Sequence, residues 1–223
     1  MRVYAGPILI FLLNLDSNNH SNILTETGLL IMFVMIKRKK LICVTGLPGA
    51  GKSVFCDVGK ELGYDIIIMG DQIRREAKNR GLENNSEVLS KLMIELRKER
   101  GKNVVAEMCK EEINKLENNN IIIDGIRNIE EIELFMKIGE VKIILIRNTP
   151  ENRMKLLQER KRNDAPINIK EFNKRDEKEL KIGIEGVMKR ADITIDNINL
   201  SKEEFEEKTR LIINNFSEYD DRI

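Results

Sequence analysis

The sequence predicts an α/β fold, a parallel sheet covered by helices on both faces. From residue 41 onward, short β-branched runs alternate with longer amphipathic stretches. The runs are nearly all apolar instead of alternating with polar residues, the pattern of strands buried on both faces. A glycine-rich turn at 46–53 separates the first run from an amphipathic stretch. With 223 residues, 41% of them hydrophobic, the chain suffices for one such domain with a sizeable core, but not comfortably for two.

Five strands are expected, at 41–45, 65–69, 120–124, 141–147 and 192–196, with helices filling the intervals. Two helix starts are well marked. Thr149-Pro150 supplies an N-cap with proline at the first helical position, and Ser201-Lys202-Glu203-Glu204 is a capping box. The stretch 160–169 is polar and broken by Pro166, so it suits a lid better than a packed element.

The first 35 residues differ from the rest. Apolar runs at 8–13 and 29–36 are each far short of the roughly 20 residues a membrane-spanning helix requires, and the tract 14–22 between them is polar. Arg2 is the only early basic residue and no small-residue cleavage site follows, so a secretory signal is not expected. Met35, followed by Ile36-Lys37-Arg38-Lys39-Lys40 and the first strand, is the expected start of translation, with Met32 as the alternative. A membrane-surface anchor built from 29–36 and the four basic residues is the competing reading.

Gly46-Leu47-Pro48-Gly49-Ala50-Gly51-Lys52-Ser53 has the spacing of a P-loop, which binds nucleoside triphosphate phosphates with magnesium. Its glycines let successive backbone N–H groups converge on a phosphate at the positive end of the following helix. Lys52 is placed to reach the β- and γ-phosphates and the Ser53 hydroxyl to ligate Mg2+. The strand Ile121-Ile122-Ile123-Asp124 ends in a carboxylate, the form taken by the acidic residue that holds magnesium opposite the loop.

From about residue 38 to 215 the chain resembles the nucleoside monophosphate kinases, most closely an uncharacterised archaeal family related to adenylate kinase. Gly70-Asp71-Gln72-Ile73-Arg74 resembles that family's G-D-x-x-R. The resemblance implies that Arg74 grips the phosphate of the acceptor nucleotide. Asp124-Gly125-Ile126-Arg127 resembles D-G-[FY]-P-R with one residue missing and implies that Arg127 is the second acceptor-phosphate ligand. Arg160, Arg162, Asp164 and Arg175-Asp176 are similar to the kinase lid, whose arginines close over the phosphates, and Arg153 is expected to face ATP. Adenylate kinases present Gln to the adenine edge four residues after the second motif's arginine. Here that position is Glu131, which either accepts from an exocyclic amine or is an exposed helix residue.

The expected organisation is an extension at 1–35, a P-loop kinase domain at 36–216 and a tail at 217–223. The domain is a three-layer sandwich around a five-stranded parallel sheet, with an acceptor-binding helical insert at about 71–118 and a short lid at about 160–169. The expected activity is transfer of the ATP γ-phosphoryl group to a nucleoside monophosphate. Asp71 is the pivotal residue. An acceptor phosphate is already anionic and needs no base, so Asp71 then acts as a helix cap; a hydroxyl acceptor, as in dephospho-coenzyme A kinases, makes it the base. A regulatory or assembly ATPase with an adenylate-kinase-like fold is the alternative of another class.

Global charge does not call for other partners. The 38 basic and 37 acidic residues leave a net charge of +1, so neither nucleic acid nor an anionic membrane is expected. Three widely spaced cysteines without a C-x-x-C pair suggest neither a disulfide framework nor a zinc site and fit reduced thiols in the cytoplasm.

Overall fold

The computed structural model describes residues 38–159, 166 and 168–218. The expected 1–35 extension, including Met32 and Met35, lies outside the described residues, as do Ile36 and Lys37, Arg160, Arg162, Asp164 and most of the 160–169 segment.

Five strands form one sheet: β1 (Lys39–Thr45), β2 (Asp65–Ile68), β3 (Asn120–Asp124), β4 (Gly139–Arg147) and β5 (Ile193–Asp196). All pair in parallel in the order β2-β3-β1-β4-β5. The expectation of burial on both faces holds for the middle of the sheet, where Leu41 to Thr45 and Ile121 to Ile123 are all buried. It fails at the edges, where only Ile67 of β2 and Ile195 of β5 are buried. An edge strand has a neighbour on one side alone, so fewer elements cover it.

The pleat of β1 divides the core into two layers. Leu41 and Cys43 join Ile121, Ile123 and Ile143 on one face. Helices α2 (Met69–Asn79), α3 (Ser86–Arg100), α4 (Val104–Ile113), α5 (Ile129–Ile138) and α8 (Ile184–Lys189) contribute to that layer. Ile42 and Val44 join Ile122, Ile144 and Ile146 on the other, under Phe55 and Val58 of α1 (Lys52–Glu61) and Phe205 and Ile213 of α9 (Lys202–Glu218). This two-residue alternation makes the three-layer sandwich from a single apolar sequence. No helix among the described residues is long and apolar enough to cross a membrane.

Local signals start the helices. Thr149 Oγ1 accepts from Asn152 N at 3.3 Å ahead of α6 (Pro150–Glu159). Ser201 and Glu204 exchange both capping-box bonds, at 2.7 and 3.1 Å, ahead of α9. Asn168 caps α7 (Ile169–Ile182) by accepting from Glu171 N at 3.0 Å.

The central strand positions the site. β1 lies between β3 and β4, so the segments leaving its carboxyl end and those of its neighbours enclose a crevice, where open α/β sheets bind ligands. The register pairs Val44 with Asp124 and Thr45 with Leu145, which sets the ends of three strands around the turn that begins at Gly46.

Candidate functional site

The glycine turn after β1 is tightly packed, against backbone at Gly46 and Gly49 and against side chains at Gly51. A Cβ on Gly46 would lie 2.4 Å from the Ile146 carbonyl oxygen, and one on Gly49, whose φ is 84°, 2.5 Å from the Arg153 carbonyl oxygen. Gly51 meets Asn197 Nδ2 at 2.6 Å in the same sense. The glycines are therefore required by the protein itself as well as by any anion in the loop. Two side chains brace the turn: Arg153 Nη1 donates to Pro48 O at 3.1 Å, and Asn197 Nδ2 donates to Ala50 O at 3.0 Å. Leu47 closes the turn by accepting from Ala50 N at 3.1 Å.

Gly51 is the N-cap of α1 and brings no side-chain acceptor, so the positive end of α1 opens on the turn. Lys52 Nζ donates to the carbonyls of Gly46 at 2.6 Å and Leu47 at 3.2 Å, arching across the loop. Ser53, the next residue of α1, is half-buried.

Asp124 ends β3 beside this loop, with its Oδ1 buried and without a hydrogen-bond partner among the described residues. A buried carboxylate oxygen left unpaired is costly, and its chemistry suits a hard cation. Its charge is felt locally. Burial first, and Asp124 second, push the Cys56 thiol up.

Arg74 lies on the first turns of α2, roughly half exposed, and donates to Asp71 one turn away. Asp71 is not the N-cap expected of it. Ile68 holds that position, because α2 takes over Met69 and Gly70 and leaves β2 one residue shorter than predicted. Asp71 instead sits within the first turn, where a carboxylate complements the positive helix end.

Arg127 follows β3 and is a quarter exposed. Its Nε donates to Glu179 Oε2 at 2.7 Å, its Nη2 to Glu179 Oε1 at 3.4 Å, and its Nη1 to Gly125 O at 2.9 Å. The charge of Glu179 holds the guanidinium well above its ordinary value, against the opposing effect of burial. For Glu179, burial raises the carboxyl, but Arg127, with Lys52 and Arg175 behind it, outweighs burial and leaves it below the usual carboxylate value. Lys52, Arg127, Arg175 and Glu179 thus share one electrostatic neighbourhood.

Two expected ligand contacts are corrected. Glu131 has 0% exposure. One of its carboxylate oxygens accepts from Arg97 Nη2 at 2.7 Å, the other from the backbone N–H groups of Arg127 at 2.8 Å and Asn128 at 3.3 Å. It completes the capping box of α5 with Asn128 and is neither an exposed helix residue nor open to a nucleotide base. Arg153, expected to face ATP, has a side chain only 4% exposed. Besides Pro48 it engages Asp176 at 2.9 and 2.5 Å and lies 4.6 Å from the centre of the Phe172 ring. It supports the loop from behind.

Sequence reasoning missed Asn197 and Glu179 as parts of this arrangement, and it grouped Asp176 with the lid instead of with Arg153. Asn197 had a signal: it follows the apolar run of β5, at the strand end where site residues gather. Glu179, three residues after Asp176 in a highly charged helix, has no such mark.

Residues 45–173 match a family model described as an AAA domain. The UPF0200 protein of Methanopyrus kandleri is 42% identical over 178 residues, covering 78% of this chain and 88% of that protein. The UPF0200 protein of Hyperthermus butylicus is 35% identical over 173 residues, covering 78% and 92%. Among solved structures, TT1252 from Thermus thermophilus superposes with a TM-score of 0.60 at 18% identity, over 82% of this chain and 98% of that one. A shikimate kinase from Bacteroides thetaiotaomicron does so at 0.53 and 16%, over 79% and 98%. At those identities the two structures share the fold, that of P-loop kinases, while the sequence relatives carry the kinship, and the chain belongs to the archaeal UPF0200 family of P-loop proteins.

Proposed function

We propose that this chain is a phosphotransferase that uses ATP with Mg2+ and passes the γ-phosphoryl group to a nucleoside monophosphate. The observation that carries this reading is the convergence, at the carboxyl ends of neighbouring strands, of the P-loop after β1, Asp124 at the end of β3, Arg74 after β2 and Arg127 after β3. Phosphoryl transfer asks a protein mainly to position two anions and supply fixed cations, and arginine forks do so bidentately.

The unpartnered Oδ1 of Asp124 and the hydroxyl of Ser53 fit a magnesium ion, which when bound neutralises phosphate charge. Gly46 to Gly51 cradle the donor phosphates. Lys52 exchanges the Gly46 and Leu47 carbonyls for phosphate oxygens. Arg74 and Arg127 hold the acceptor phosphate, and Arg160, Arg162 and Arg175 close over the migrating group. Glu131 and Arg153 have no ligand role in this scheme. A cytoplasmic location accompanies it, since the donor is supplied there.

A hydroxyl acceptor is the second reading, that of a dephospho-coenzyme A kinase. It is favoured by the carboxylates already set against both acceptor-side arginines, Asp71 on Arg74 and Glu179 on Arg127, which lower the charge available to a second phosphate. Asp71 would then serve as the base, and its side chain is 45% exposed.

A coupled ADP-release assay over a panel of monophosphates and dephospho-coenzyme A separates these readings. Turnover of a monophosphate that Arg74→Ala impairs and Asp71→Asn largely spares supports the first reading. Turnover of the hydroxyl substrate that Asp71→Asn abolishes replaces it with the second. ATP hydrolysis without any phosphorylated product rejects both and favours the ATPase alternative.

A further inference from the structure

Helix α7 presents two carboxylates one turn apart, and each holds a different arginine. Asp176 accepts from Arg153 Nη1 at 2.9 Å and Nη2 at 2.5 Å, and the same Nη1 donates to Pro48 O at 3.1 Å. Phe172, on the preceding turn of α7, lies under the Arg153 guanidinium. The crest of the P-loop is thus fastened to α7 through one nearly buried guanidinium. Glu179, at position i+3 from Asp176, takes Nε and Nη2 of Arg127, while Gly125 O takes Nη1. These bonds account for three of a guanidinium's five N–H donors and leave the two terminal nitrogens with donors to spare.

We infer that Asp176 and Glu179 are positioning residues: Asp176 fixes the donor loop through Arg153, and Glu179 orients Arg127 so that its remaining N–H groups meet the acceptor anion. The assignment of Arg127 to the acceptor rests on the proposed phosphotransferase; the Asp176 brace rests on the P-loop alone. A carboxylate engaging the side of a guanidinium leaves the end of the planar fork oriented, which an unbraced arginine side chain achieves only at an entropic cost. Because both carboxylates ride on one helix, a displacement of α7 would loosen both halves together.

The two roles separate in measurement. By calorimetry with a non-hydrolysable ATP analogue and magnesium, Asp176→Asn weakens binding about tenfold, the size expected from loss of a charge-assisted hydrogen bond. Glu179→Gln leaves the same affinity within about twofold, or tightens it by removing an anion near Lys52. In steady state with the turned-over monophosphate, Glu179→Gln raises the acceptor KM about tenfold at an unchanged ATP KM, and Glu179→Asp recovers part of the loss.

Should Asp176→Asn not fold, the double variant Arg153→Met with Asp176→Leu removes the buried pair while keeping apolar contact with Phe172, and the same weakening of analogue binding is expected. Equal effects of Asp176→Asn and Glu179→Gln on analogue binding, or none from either, overturn the inference. So does an acceptor KM untouched by Glu179→Gln. If no monophosphate is turned over, the proposed function falls while the analogue-binding split still decides the inference.

Discussion

Gly49 and Gly63 form a matched pair that separates backbone strain from packing in the P-loop. Their φ angles are 84° and 83°, yet a Cβ on Gly63 meets nothing among the described residues within 4 Å, whereas one on Gly49 lies 2.5 Å from the Arg153 carbonyl oxygen and 3.0 Å from two further backbone atoms. Either substitution to alanine forces an L-residue into left-handed backbone, at about 1–2 kcal/mol. For Gly63→Ala that is the whole effect. Gly49→Ala adds a clash with main chain that cannot rotate away, worth about 1–3 kcal/mol by analogy with overpacked cores, for a total of about 2–5 kcal/mol. The clash can be relieved only by moving the loop away from α6, which displaces the phosphate cradle. Urea unfolding measures the stabilities, and calorimetry with a magnesium-loaded ATP analogue measures binding. Gly49→Ala should lose at least about tenfold in affinity, the scale of a misplaced binding group, while Gly63→Ala binds as the parent does. Equal stability losses in the two variants, or parental binding by Gly49→Ala, would refute the packing account.

Other outcomes follow from individual groups. Asp124→Ala should leave stability unchanged or raise it by up to about 1–3 kcal/mol, because it removes a buried oxygen that has no partner among the described residues, while magnesium-dependent nucleotide binding collapses; parental binding with magnesium would take Asp124 out of the site. Burial pushes all three thiols up, so Cys43, Cys56 and Cys109 should react with dithionitrobenzoate only after denaturation, and rapid labelling of native protein would contradict that burial. Glu179 lies below its ordinary carboxyl value in the folded state, so between the two values the unfolded chain binds more protons. Its contribution to stability is therefore present at neutral pH and lost as pH falls through the acid carboxylate range. Glu179→Gln should flatten that part of the acid limb in urea melts recorded from pH 7 down to pH 3, and an unchanged limb would show that the pair with Arg127 does not persist in solution.

The sheet was legible because its strands are apolar runs bounded by polar or glycine residues, and each begins and ends within two residues of expectation. The P-loop was legible because a phosphate cradle demands glycine at fixed spacing. Arg74 and Arg127 were found as motif members, but their partners were not, since a carboxylate reaching from residue 179 to residue 127 leaves no local trace. Glu131 misled for a related reason. Its spacing from Arg127 suits both a base contact and a capping box, and only packing against Arg97 decides between them. Arg153, one turn into its helix, was grouped with the lid-like arginines and expected to face ATP. Its direction is set by Asp176 and Phe172, which arrive from a helix that begins sixteen residues later.

The central claim, that the carboxyl end of the sheet joins a donor half to an acceptor half, is tested most directly by following γ-labelled ATP in the presence of magnesium and a panel of nucleoside monophosphates. The account predicts label in a nucleoside diphosphate in step with ADP release, with Arg74→Ala and Arg127→Ala raising the acceptor KM and leaving ATP binding intact. Label appearing only as inorganic phosphate, at a rate unaffected by either arginine variant, would contradict it.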